Sequence, residues 1–198
     1  MTVEAVPQDA GSDYPLRFDV EYPESLSRLL IFVKWLLVIP HFFILYALGI
    51  FTSILVLFAF FAILFTKKFP KGMFDFVVNI GRWNANASAY VGLLRDEYPP
   101  FSWDAGEYPV RYEVDYPDEL NRWLPLVKWL LVIPHFFVLI FLGLAVFVVQ
   151  IIAWFAILFT GKFPRGMFDF VVSVTRWGYR VNAYLYLQRD EYPPFSLN

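Results

Sequence analysis

Leu29–Thr66 reads LLIFVKWLLVIPHFFILYALGIFTSILVLFAFFAILFT, 38 residues in which only Lys34 and His41 can ionise. About 18 such residues already mark a membrane segment. As one straight helix the run would measure about 57 Å, nearly twice a hydrocarbon core of about 30 Å. The run is therefore expected to bend. Pro40 lacks an amide hydrogen and disfavours helix at Ile39, so it supplies one break, and Gly49 is a second candidate. Two arrangements fit. In the preferred one, Leu29–Thr66 forms a tight membrane hairpin turning near Gly49. In the other, one helix spans Pro40–Phe65 and Gly72–Leu94 crosses back. Gly72–Leu94 carries Asp75, Asn79, Arg82 and Asn86, which makes it a costly crossing.

The same text occurs twice. Tyr14–Ser102 realigns onto Tyr108–Ser196 with a constant offset of 94, no gap, and more than half of the positions identical. KWLLVIPHFF fills Lys34–Phe43 and Lys128–Phe137; RDEYPPFS fills Arg95–Ser102 and Arg189–Ser196. A fixed period of this kind decides the architecture before any element is assigned. The chain divides into a polar tail at residues 1–12, expected to be disordered, a membrane repeat at 13–102 and a second at 107–196. The apolar stretches Ile50–Phe58 and Leu144–Ile152 share almost no identities, as lipid contact tolerates; specific packing or binding is expected in the identical blocks around them.

Each repeat opens on alternation. Leu16, Phe18, Val20 and Tyr22 face one way and Arg17, Asp19 and Glu21 the other; Tyr108–Tyr116 repeats the pattern. Period two predicts a half-buried strand. A lone strand leaves its backbone unpaired, so the copies should pair with each other or with the YPPFS segments. A small sheet over the helices is expected, offering a mixed-charge face and a backbone edge to a partner protein. After the apolar run, Asp75, Asn79, Arg82 and Asn86 recur on one helical face, as do Asp169, Ser173, Arg176 and Arg180. With Phe74, Phe76, Val77, Ile80, Trp83 and Tyr90 on the remaining surface, this predicts an amphipathic helix lying in the membrane plane. The fold class is thus mostly α and membrane-integral: two repeats, each a strand, a kinked helical hairpin and an in-plane helix.

Composition narrows the function. Hydrophobic residues make up 59% of the chain and charged ones only 17%, which excludes a disordered polymer. A net charge of −2 offers no basic footprint for nucleic acid. With no cysteine, disulfide scaffolds, zinc–thiolate sites and thiol nucleophiles are out. No nucleophile–base set, cofactor motif or metal-ligand spacing stands out.

The tandem KWLL-x-IPH blocks, the F-P-[KR]-G-x-F-x-F blocks and the terminal R-x-x-YPPFS resemble a bacterial membrane family catalogued only as a domain of unknown function, the DUF4389 type. The resemblance implies a bacterial integral membrane protein and brings no activity, cofactor or functional residue with it.

Ionisable groups in an apolar run are functional candidates by default. Arg28, Lys34 and Trp35, with Arg122, Lys128 and Trp129, could receive a lipid phosphate; the plainer role is a lysine snorkelling to the headgroups. His41 and His135 could bond backbone groups freed by the prolines. Arg82 and Arg176 could line a polar groove for a headgroup or partner, or simply pair with Asp75 and Asp169 on a solvated face. The function expected is a non-enzymatic scaffold or accessory subunit of a larger membrane assembly; the alternative is a lipid-binding or small transport component using the Lys34/His41 and Lys128/His135 regions. The partners are the lipid bilayer and other membrane subunits. Lys67, Lys68, Lys71, Arg82 and Arg95, with Lys162, Arg165, Arg176, Arg180 and Arg189, flank the apolar runs; the positive-inside rule then predicts an inner-membrane, multi-pass protein with both termini cytoplasmic and a pseudo-twofold axis along the membrane normal.

Overall fold

The computed structural model describes residues 14–106 and 108–198; the tail expected over residues 1–12 lies outside them. Strand β1 (Leu16–Val20) is followed by a 3-10 turn (Leu30–Phe32) and helices α1 (Lys34–Leu37), α2 (Ile39–Thr66) and α3 (Lys71–Val91). The second repeat repeats the order with β2 (Val110–Val114), a 3-10 turn (Leu124–Leu126), α4 (Lys128–Leu131), α5 (Ile133–Thr160) and α6 (Arg165–Leu185).

The hairpin expected at Gly49 does not form. Helix α2 runs unbroken through Gly49, as α5 does through Gly143. A mid-helix glycine costs only about 1 kcal/mol, which 28 residues of apolar helix absorb. The break falls earlier, at Val38, and Pro40 sits in the first turn of α2, where its missing amide hydrogen costs nothing. The far end stops on a left-handed residue, Lys67 (φ 61°), replaced in the second copy by Gly161 (φ 73°), the residue type that favours this conformation. Pro70 and Pro164 then start α3 and α6. The true hairpin is α2 against α3: His41 meets Trp83, and Phe51 further along α2 meets Phe76 further back on α3, with ring centroids 5.9 and 5.3 Å apart.

The surface of α3 expected to face lipid is covered by protein. Phe74, Val77, Ile80, Trp83 and Tyr90 are buried and Phe76 half-buried, because α3 lies between α2 and β2. The arginine–aspartate face also divides. Asp75 pairs with Lys71 and Asp169 with Arg165, one turn away, while Arg82 and Arg176 turn toward the strands.

The two strands pair antiparallel, with Leu16 opposite Val114, Phe18 opposite Tyr112 and Val20 opposite Val110. Subtracting the offset of 94 shows that Phe18 faces its own counterpart. Such a pair has a twofold axis perpendicular to the sheet, between Phe18 and Tyr112. The rest of the molecule obeys it. Each strand packs on the helix of the other repeat, β1 on α6 and β2 on α3. Tyr22 donates to the Phe163 carbonyl and Tyr116 to that of Phe69; the Leu26 amide donates to Gly161 and that of Leu120 to Lys67.

The sheet edges are closed at their centres. Glu21 donates to Pro109 and Asp115 to Pro15, so the odd-numbered pairs bond across the sheet and the carbonyls of Phe18 and Tyr112 point outward. Arg176 Nε donates to the Phe18 carbonyl at 2.8 Å and Arg82 Nε to that of Tyr112 at 3.3 Å. These arginines block the strand-addition site expected from sequence, a recognised way to protect an edge.

Candidate functional site

The identical blocks of each repeat meet. KWLLVIPHFF forms α1 and the start of α2, and RDEYPPFS wraps over them after α3. Lys34 is almost wholly buried, at 1% exposure. Its ammonium lies 2.8 Å from Asp96 Oδ1, donates to the Arg95 carbonyl at 2.6 Å and stands 5.1 Å from the centre of the Tyr90 ring. Burial pulls the lysine below its ordinary value, against the opposing pull of the Asp96 carboxylate. The other Asp96 oxygen accepts from the Ser27 amide. Arg95 grips Glu97 with two nitrogens and donates a third hydrogen bond to the Glu21 carbonyl at 2.8 Å, beyond the end of β1. One charge cluster therefore ties strand, turn and helix.

Beside it, His41 is fully buried. Its Nδ1 accepts from Trp83 Nε1 at 2.9 Å and its ring stacks on Phe101 at 4.0 Å. Tyr98 donates to the Leu37 carbonyl at 3.0 Å, taking up a group freed at the helix break. The second repeat reproduces the cluster: Lys128 with Asp190 at 2.8 Å, Trp177 with His135 at 3.1 Å, His135 on Phe195 at 4.0 Å and Tyr192 with Leu131 at 2.9 Å.

The sequence candidates thus fall into three groups. Lys34, His41, Lys128 and His135 are enclosed by these clasps. Arg82 and Arg176 hold the strand edges. Arg28, Trp35 and Trp129 stay exposed and Arg122 half exposed; each indole donates to a carbonyl three residues earlier. Asp96, Arg95, Phe101 and their twins were missed. Their signal was the strict identity of RDEYPPFS in both copies, in a segment with no regular element to explain it.

The copies also differ inside the fold, most visibly around one chamber. A chamber of about 170 Å³ between α2, α3, α6 and β2 is lined by Thr52, Asn84, Tyr179, Asn182 and Gln188, among others. Val146, Gly178, Ala85, Ser88 and Leu94 stand at the matching positions of the other copy. Thr52 Oγ1 and Gln188 Nε2 are buried there without a hydrogen-bond partner among the described residues. A larger, mainly apolar cleft of about 350 Å³ opens beside Lys34 and Trp35, against Phe147, Gln150, Ile151 and Trp154 of α5.

The fold is a mostly helical, internally duplicated one, with two helices, α2 and α5, long and apolar enough to cross a membrane. A family profile described as "Domain of unknown function (DUF4389)" matches residues 28–102 and again 123–196, together well over half of the chain. The protein belongs to this family. No curated protein and no solved structure matches the chain.

Proposed function

We propose that this protein is a non-enzymatic membrane scaffold, an accessory subunit that fixes a protein partner to the membrane surface, with both chain ends and the Trp103–Gly106 linker on the cytoplasmic side. The observation that carries this reading is the contrast between its surfaces on one interlocked frame. Exposed apolar side chains cover most of α2 and α5, among them Phe43 at 74% and Phe65 at 76% exposure. The outer face of the sheet carries Arg17, Asp115, Arg111 and Glu113 in exposed ion pairs of 2.8–3.6 Å. Such pairs add little stability, so they are free to be exchanged for contacts with a partner. With the edges capped by Arg82 and Arg176, docking uses this face and not strand addition.

Purification in mild detergent tests the reading. A protein partner at fixed stoichiometry is expected, and it should be lost from the Arg17→Glu/Arg111→Glu variant while the thermal transition is kept. A partner retained by that variant, or a chain purified alone in every detergent, refutes it. A second reading, lipid binding, draws on the apolar cleft beside Lys34 and Trp35. It requires a phospholipid held at one per chain and lost when Ile151→Trp fills the cleft.

A further inference from the structure

We infer that α2 and α5 do not cross the membrane but lie in its plane, sunk into a single leaflet with the charged sheet facing water. The inference rests on the membrane reading above and replaces the multi-pass arrangement expected from sequence.

Two observations fix the geometry. The first is the direction of the helices relative to the twofold axis. Two helices related by a twofold along their length run parallel, with their starts at the same end. Here the start of each helix is tethered to the end of the other. The Lys67 carbonyl, at the end of α2, accepts from the Leu120 amide; the next amide, Asn121, donates to Asp190, and Asp190 pairs with Lys128, five residues before α5 begins. Hydrogen-bond and backbone dimensions put Lys67 within about 15 Å of the Lys128 ammonium. The reciprocal chain runs from the Gly161 carbonyl through Leu26, Ser27 and Asp96 to Lys34, before α2. At about 42 Å each, α2 and α5 can satisfy both tethers only by running in opposite senses, across the axis.

The second observation is where the axis emerges. It leaves the molecule through the middle of the sheet, between Phe18 and Tyr112, where Arg17, Arg111, Glu113 and Asp115 surround it. If α2 and α5 stood upright, the axis would lie in the membrane plane and these four charges would face lipid at mid-depth. Charged side chains exposed to lipid at the bilayer centre are costly and correspondingly rare. With the sheet turned to water, the axis becomes the membrane normal and the helices lie flat. Symmetry then sets Trp35 and Trp129, at 62% and 61% exposure, at one depth, with Arg28 and Arg122 at another. Indoles and long basic side chains favour the headgroup boundary, and an in-plane apolar helix sinks to about that layer. The partner is therefore one leaflet of a phospholipid bilayer.

The test uses vesicles of phosphatidylcholine with one quarter phosphatidylglycerol. This cysteine-free chain accepts single-site fluorescent labels at Phe43→Cys, Ile54→Cys and Phe65→Cys, all exposed positions along α2, and at Arg17→Cys on the sheet. Quenching by lipids spin-labelled at graded depths should place the three helix labels at one depth, within about 5 Å of each other, and a water-soluble quencher should reach only the sheet label. A central label about 15 Å deeper than both ends, as an upright helix requires, overturns the in-plane placement while leaving the membrane reading intact. A chain that fails to float with the vesicles overturns both.

Discussion

Replacing Lys34 by methionine isolates the charge at the centre of the clasp, because the thioether keeps most of the packed stem. The ammonium makes a 2.8 Å contact with Asp96 and a 2.6 Å hydrogen bond to the Arg95 carbonyl, at 1% exposure. Removing one partner of a fully buried pair costs about 3–5 kcal/mol. Asp96 keeps its bond from the Ser27 amide and is 24% exposed, which sets the expected loss near the lower end, about 3 kcal/mol. Asp96→Asn in the same background should recover part of it, because the stranded carboxylate is then gone. The molecule contains its own replicate. Lys128 and Asp190 have the same separation and the same exposures, 1% and 24%, so Lys128→Met should cost the same, and the double variant the sum, as separate sites do. Denaturant unfolding in detergent, followed by tryptophan fluorescence, gives the three values. A loss under about 1 kcal/mol at both sites would refute the view that these charges hold the fold, and unequal losses would refute the equivalence of the clasps.

Three further outcomes follow from the geometry. Gly81→Ala should destabilise by about 1–3 kcal/mol, since its new methyl would stand 2.8 Å from the buried Tyr112 ring; Gly178→Ala, in open space within α6, should stabilise by about 0.5–1 kcal/mol, both read from melting curves. Gly49→Ala should leave stability unchanged or raise it, because α2 is continuous there and nothing lies near the new methyl; a marked loss would restore the turn. The Arg189 contact holds the Glu191 carboxyl below its ordinary value. A carboxylate depressed in the folded state stabilises it above the unfolded value, near 4.5, and loses that contribution as pH falls through the folded one. The melting temperature should therefore drop below about pH 4.5, less steeply in Arg189→Ala.

Much of the fold was readable because its signals are periodic. Alternation in Tyr14–Tyr22 marks a strand whatever surrounds it, and the offset of 94 predicts equivalent elements in both copies. The helix expected from Gly72 begins one residue earlier, at Lys71, directly after Pro70. The hairpin at Gly49 failed because a glycine in an apolar helix lowers stability without forbidding the conformation. The lipid-facing surface of α3 failed for another reason: an amphipathic pattern says that one face is covered, and not by what. Here α2 and the strand of the other repeat cover it. The clasp was half legible. Lys34 and His41 announced themselves as polar groups in an apolar run, but Asp96, 62 residues on, carries no local sign of its partner. Arg82 and Arg176 stood out as candidates, but their hold on the strand edges was not legible, since the carboxylates seven residues earlier on the same helix offered a plausible but unused partner.

The strand exchange has a consequence for chains half this length. Each strand is covered by a helix from the other repeat, each tyrosine at its end bonds across, and each long helix ends on the other repeat's backbone. A fragment with a single repeat would have β1 with no helix to lie on and α3 with no strand above it. Two such fragments, 1–104 and 105–198, can close the same architecture only by clasping one another, and a chain encoding one copy would do so with its own twin. The covalent link between the halves then contributes no contact that the pair lacks; it holds the two partners at high local concentration, in one-to-one ratio, from the moment the second is made.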